Sequence, residues 1–147
     1  MKTAWNDDDY RDLCGRLERL EAGTSPKWGR MNAPQMICHC TDALRMVSGA
    51  LPTASKKVPI RFTPLKQLII YWLPFPKGVP TAPELLARQP LEWQGEMQAL
   101  RQELAAVVER GPSGPFVPHP AFGRLTPRAW GVLVYRHLDH HLRQFGV

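Results

Sequence analysis

At 147 residues, 44% of them hydrophobic and 22% charged, the chain has the composition of a globular protein and not of a disordered or fibrous one; residues 1–147 read as a single domain with its own core. The net charge of +6 suits an acidic partner or an anionic substrate, yet the basic residues are scattered along the chain. The densest run, SKKVPIRFTPLK at residues 55–66, is broken by prolines, and no nucleic-acid-binding module is recognisable, so nucleic acid is not an expected partner.

In chain order, a first helix is expected from Asn6, whose side chain suits the cap. Asp7, Asp8 and Asp9 then lie on the positive end of the helix dipole, and Tyr10, Leu13, Leu17 and Leu20 recur at helical spacing until Gly23 and Pro26. SPKWGRM follows as an ordered link with Trp28 as an apolar plug. A second helix is expected over about Asn32 to Ser48, because Asn32 with Gln35 three residues on is a capping-box pattern and Gly49 and Pro52 stop it. Residues 50–90 form a Pro-rich crossover with a short helix at PLKQLIIYWL and a second around PELLARQ. A third long helix is expected from Leu91 to Arg110, ended by Gly111-Pro112; a fourth is capped by Thr126, has Pro127 in its first position and reaches Gln144. No strand is expected. The fold class is all-α: a four-helix bundle with one long crossover between its second and third helices.

Cys14, Cys38 and Cys40 are odd in number and show no CxxC spacing, which argues against a disulfide framework and fits a reducing cytoplasm. MKTAWNDDDYRDL is acidic and has no apolar core, so it is not expected to be a signal peptide. LIIYWLPF, the most apolar stretch, is far shorter than the roughly 20 residues of a membrane span. A soluble cytoplasmic protein is the expectation.

Three of the five histidines fall in YRHLDHHLRQFGV at residues 135–147. With about 100° per helical residue and Trp130 as reference, His137 and His141 each lie about 20° from the centre of the apolar stripe. Arg136, Asp139 and Arg143 take the opposite side, and His140 takes the margin near Gln144. A buried imidazole needs a hydrogen-bond partner or a metal, since stranding it costs on the order of 1–3 kcal/mol. Two histidines one turn apart can converge on one ion. On the second helix His39 also lies on the apolar face, with Ala43, Met36 and Met46. His39, His137 and His141 can therefore cap one face of a divalent metal and leave its remaining positions open, which is the pattern of a catalytic site. Gln35 and Asp42, one turn either side of His39, are the candidates for orienting a ring nitrogen, a bound water or a nucleophile.

Blander readings stand beside this one. The inward histidines can instead hydrogen-bond to Gln35, Asp42 or Tyr71. His119, in PHPAFG, suits a loop hydrogen bond or a fourth ligand. Cys38 and Cys40 sit about 160° apart on the helix and cannot share a metal; Cys40 reads as core and Cys38 as packed at an edge.

WGRMNAPQMICHCTDALRM, then PKGVPTAPEL, then HPAFGRLTPRAWGVLVYRHLDHHLRQFG, the last the most specific, together resemble a bacterial domain-of-unknown-function family within the DinB-like superfamily. The resemblance spans nearly the whole chain. It implies a four-helix bundle, often dimeric, whose metal is held by one histidine of the second helix and an H-xxx-H pair of the last; those roles fall on His39 and on His137 with His141. The better-known relatives are S-transferases and isomerases that use bacillithiol, mycothiol or glutathione with zinc or nickel. The resemblance thus implies a metal-dependent enzyme performing thiol transfer or hydrolysis on a small-molecule substrate, with a thiol cofactor compatible but not identified by any residue. The alternative is a non-enzymatic binding or interaction protein with a structural or vestigial metal site. A third reading is a plain dimeric domain whose histidines are only hydrogen-bonded.

Overall fold

The computed structural model describes residues 1–56, 58–62, 64–77, 82–86 and 88–147. It is all-helical: among the described residues there is no strand, only an isolated bridge between His119 and Gly123. Five α-helices follow in order: α1 Asp7–Glu18, α2 Ala33–Ser48, α3 Leu65–Tyr71, α4 Trp93–Arg110 and α5 Pro127–Gln144. No described helix is long and apolar enough to cross a membrane.

The helix starts are where the side chains dictate them. Asn6 accepts the backbone N–H groups of Asp8 and Asp9, both at 3.1 Å, and three aspartates occupy the first turn of α1. The capping box of α2 is closed, with Gln35 N donating to Asn32 Oδ1 and Asn32 N to Gln35 Oε1, each at 2.9 Å. Thr126 caps α5 through the N–H of Ala129 at 3.2 Å. Two boundaries differ from expectation. α1 ends at Glu18, because the last turn closes through Arg19 N–H to the carbonyl of Arg16; Leu20 is buried outside the helix. α4 begins at Trp93 and not at Leu91, because Glu92 is the cap and the Leu91 N–H goes to Glu96 Oε1 at 2.7 Å. In the crossover the short helix is α3, and PELLARQ yields a single 3₁₀ turn at Pro83–Leu85. Ala87 of that stretch and residues 78–81 of PKGVPTAPEL lie outside the described residues.

One cluster of buried side chains draws on all five helices, with Trp130, Leu13, Ile37, Ile70, Leu100 and Leu138 among its members. Each buried Leu or Ile contributes about 1.5–3 kcal/mol of transfer free energy before entropy is counted. The two most extensive pairings among the long helices are α2 with α4 and α1 with α5; α2 also meets α5 and the Pro83–Leu85 turn. This makes α2 central, and it is buried nearly all round, Thr41 and Asp42 included. Asp42, one turn after His39, is therefore at an interface, while Gln35, one turn before it, stays exposed.

Several clamps fix α5. The N-terminal segment crosses it at Gly131, where Ala4 N–H donates to Gly131 O at 2.9 Å and Trp5 Nε1 donates to Pro127 O at 2.9 Å. A Cβ on Gly131 would come within 2.3 Å of Trp5 Nε1, so the crossing requires glycine. Arg16, buried in α1, donates to Asp139 Oδ1 at 2.7 Å and to Val147 O at 3.0 Å. Arg136, expected on the wet side, instead caps the C-terminus of α3 by donating to the carbonyls of Ile69, Ile70 and Leu73.

Candidate metal centre

His39 is the seventh residue of α2, and His137 and His141 lie one turn apart on α5. Where the two helices meet, the three rings converge: centroids are 5.0 Å apart for His39 and His137, 4.8 Å for His39 and His141, and 4.8 Å for His137 and His141. One nitrogen from each lies within 4.8 Å of the other two, and the cluster can hold a metal ion. His39 and His141 are buried, while His137 keeps part of its surface open.

The tautomers follow from fixed partners. His39 Nδ1 lies 3.3 Å from Leu85 O, which can only accept, so Nδ1 carries the proton and Nε2 presents a lone pair. For His141 the partner is a side chain that is itself fixed. Gln144 Nε2 donates to Trp28 O at 2.7 Å, again to a carbonyl, which fixes the orientation of the amide and turns Oε1 toward His141 Nδ1 at 2.9 Å. His141 Nδ1 therefore donates, and its Nε2 is also free as a ligand. The third ring, His137, meets His39 Nε2 with its own Nε2 at 3.1 Å. Two nitrogens bound to one tetrahedral ion at about 2.0–2.1 Å stand about 3.3 Å apart, so this spacing is already close to that of a shared ion. Three neutral imidazoles, two of them oriented by hydrogen bonds at the far ring nitrogen, are a donor set that suits a divalent transition-metal ion.

Electrostatics keep the set in its ligating form. Burial pushes His141 down to about 3, with nearby His39 adding and the Gln144 hydrogen bond opposing. Burial also lowers His39, against the Leu85 hydrogen bond and the Asp42 charge, and lowers His137 well below the imidazole range, helped by the adjacent histidines. All three are uncharged at neutral pH, which is the state a metal requires.

A family model described as "Protein of unknown function (DUF1569)" matches residues 5–146. The chain belongs to the DUF1569 family. No curated protein and no solved structure matches it.

In this DUF1569 protein the remaining candidates sit around the centre rather than in it. Gln35 lines a cleft of about 260 Å³ together with Cys38 and His39, while its Oε1 serves the capping box. Asp42 faces away from the rings and toward two guanidinium groups: Arg88 Nε at 3.2 Å and Arg45 Nη1 at 3.3 Å. Arg88 also grips Glu96 with both terminal nitrogens, at 2.5 and 2.9 Å, which holds the Glu96 carboxyl below its ordinary range. His140 stands beside the centre, its ring 5.2 Å from that of His141, against Trp28 and Phe75. His119 lies outside the three-histidine group; its Nδ1 accepts the N–H groups of Ala121 and Phe122, both at 3.1 Å. Cys40 is core. Cys38 is buried at the cleft, donates to Arg88 O at 3.6 Å and is pushed up to about 11 by burial, so it is a thiol and not a thiolate.

The groups that orient the rings carry little signal in the sequence. Leu85 acts through its carbonyl, which no side-chain pattern reports. Gln144 carries a partial signal, being three residues from His141 and so on the same helix face. What is invisible is the other end of its amide, because SPKWGRM returns from far along the chain to lie against α5.

Proposed function

We propose that this DUF1569 protein is a metal-dependent enzyme with the four-helix architecture of the DinB-like superfamily, acting on a small molecule by thiol transfer or hydrolysis. The observation that carries the reading is the convergence of His39, His137 and His141, with the Nε2 lone pairs of His39 and His141 left free by the hydrogen bonds at their Nδ1 atoms. A divalent zinc or nickel ion on these ligands would lower the pKa of a bound thiol or water enough to supply a nucleophile at neutral pH. The chain's own residues do the rest. Leu85 O and Gln144 hold the His39 and His141 rings in the ligating tautomer. The partial exposure of His137 keeps a path to the open side of the centre. Gln35, on the cleft wall, is assigned to orient what binds there. Asp42, through the Arg88 pair that closes one side of the cleft, is assigned to keep that wall in place.

The test uses protein purified without a His-tag and loaded with zinc or nickel. It should transfer glutathione, mycothiol or bacillithiol to a fluorogenic electrophile, or hydrolyse an activated ester, and His137→Ala should lose turnover and metal together. Equal turnover by metal-free protein would contradict the reading. Stoichiometric metal with no turnover would favour the non-enzymatic binding protein instead.

A further inference from the structure

The cleft beside His39 has an unequal set of charges. Two arginines line it, Arg30 and Arg88. Arg88 is fully occupied: Asp42 takes its Nε and Glu96 its two terminal nitrogens. Arg30 is exposed and has no carboxylate partner among the described residues. No aspartate or glutamate lines the cleft among those residues either, and Met31, Leu85 and Leu86 give it apolar walls. The metal centre adds to the imbalance. Three neutral imidazoles leave a divalent ion its whole charge, and the nearest acidic group on α2, Asp42, is committed to Arg88 and Arg45. At about 260 Å³ the cleft is smaller than the roughly 300–1,000 Å³ of drug-sized pockets, which limits the occupant to a small molecule.

We propose that this cleft takes a small amphipathic anion, its carboxylate or phosphate head on Arg30 and its apolar body against Met31, Leu85 and Leu86. A guanidinium with no carboxylate partner among the described residues, lining a cleft that no described aspartate or glutamate lines, selects an oxyanion over an alcohol or an amine, because the charge-assisted hydrogen bonds exist only for the oxyanion. The inference rests on the metal-enzyme reading only for treating this ligand as substrate; the binding itself needs no metal.

The experiment is calorimetric titration of the full-length, tag-free protein, metal-free and zinc-loaded, with hexanoate, hexyl phosphate, hexanol and hexylammonium. At least one anion should bind about tenfold or more tightly than the alcohol and the amine, by virtue of its charge-assisted pair with Arg30. The tighter of the two anions tells whether the natural head group is a carboxylate or a phosphate. Arg30→Met, a change at an exposed position, should abolish that preference and leave zinc stoichiometry unchanged. Hexanol binding as well as the anions, no binding of either anion, or unchanged anion affinity in Arg30→Met would each overturn the proposal. Anion binding that survives in protein unable to hold zinc would support the cleft assignment while removing the metal reading, so the two fail separately.

Discussion

The Gln144 side chain makes two hydrogen bonds, and both bear on the candidate metal centre: its oxygen accepts from His141 Nδ1 and its nitrogen donates to Trp28 O. Removing it frees the His141 ring to turn and to change tautomer. Groups in this position typically contribute 10–100-fold to metal affinity, so Gln144→Ala should weaken zinc binding by roughly that factor while the helical circular dichroism stays unchanged. Competition with a chromogenic chelator measures it, and undiminished affinity would mean that His141 is not a ligand. His119 gives a second prediction. Its Nδ1 receives two backbone N–H groups, and its ring is packed against Phe122 and Trp130 at 4.7 and 5.5 Å, so protonation there would set a proton against two others in an apolar site. Burial pushes it down to about 4 from the ordinary 6.5. A folded value below the unfolded one means that stability is intact above about pH 6.5 and is lost as pH falls toward about 4, by on the order of 3 kcal/mol once both states are protonated. His119→Asn keeps an acceptor for the turn and cannot titrate. Urea unfolding at pH 7 and pH 4.5 should show a smaller drop in the variant, and an equal drop would assign the acid sensitivity elsewhere.

At the scale of elements, two connections hold the site walls. The segment before α2 lies on the end of α5 through Lys27 N–H to Gln144 O at 2.7 Å. Gly29, at φ 83°, passes so close that a Cβ would stand 2.6 Å from Gln144 Nε2. α2 is tied to α4 and the crossover by Asp42, Arg88 and Glu96, with Glu96 only 1% exposed. Removing Glu96 strands an Arg88 side chain that is itself 30% exposed, so the cost is below that of a fully buried pair, about 1–3 kcal/mol. Glu96→Ala should lower unfolding stability by that order in urea, with Glu96→Gln less affected because it keeps hydrogen-bonding capacity; a loss below about 1 kcal/mol would mean the pair is solvated. These connections also explain what the sequence could reveal. The caps at Asn6, Asn32 and Thr126 and the inward turn of His39, His137 and His141 are local properties, set by a few neighbouring residues and the helical period. The Arg88 pairing, the Leu85 carbonyl and the return of SPKWGRM onto α5 depend on where the proline-rich crossover and a loop come back in space, and no local period encodes that. The near-complete burial of α2 is not legible in the sequence for the same reason: no local pattern shows that α4 and Arg88 pack against Asp42.

Over the whole molecule, α1 with α5 and α2 with α4 make the two main pairings of long helices, and the direct contact between α2 and α5 is smaller. The three-histidine cluster spans that smaller contact. An ion bound there ties the two pairs together in the folded state only, so it should stabilise the protein by mass action, about 4 kcal/mol at a free metal concentration a thousand times Kd. For a chain of this length that raises Tm by on the order of 10 °C, which differential scanning calorimetry before and after verified chelation can read. An unchanged Tm would place the metal away from the α2–α5 contact. The measurement that goes straight to the shared ion is an anomalous difference map from crystals of tag-free, zinc-loaded protein, collected on both sides of the zinc edge. A single strong peak within about 2.1 Å of a ring nitrogen of each of His39, His137 and His141 is the predicted result. A map with no peak among those rings, or one whose zinc is held by His140 or His119 instead, would contradict it.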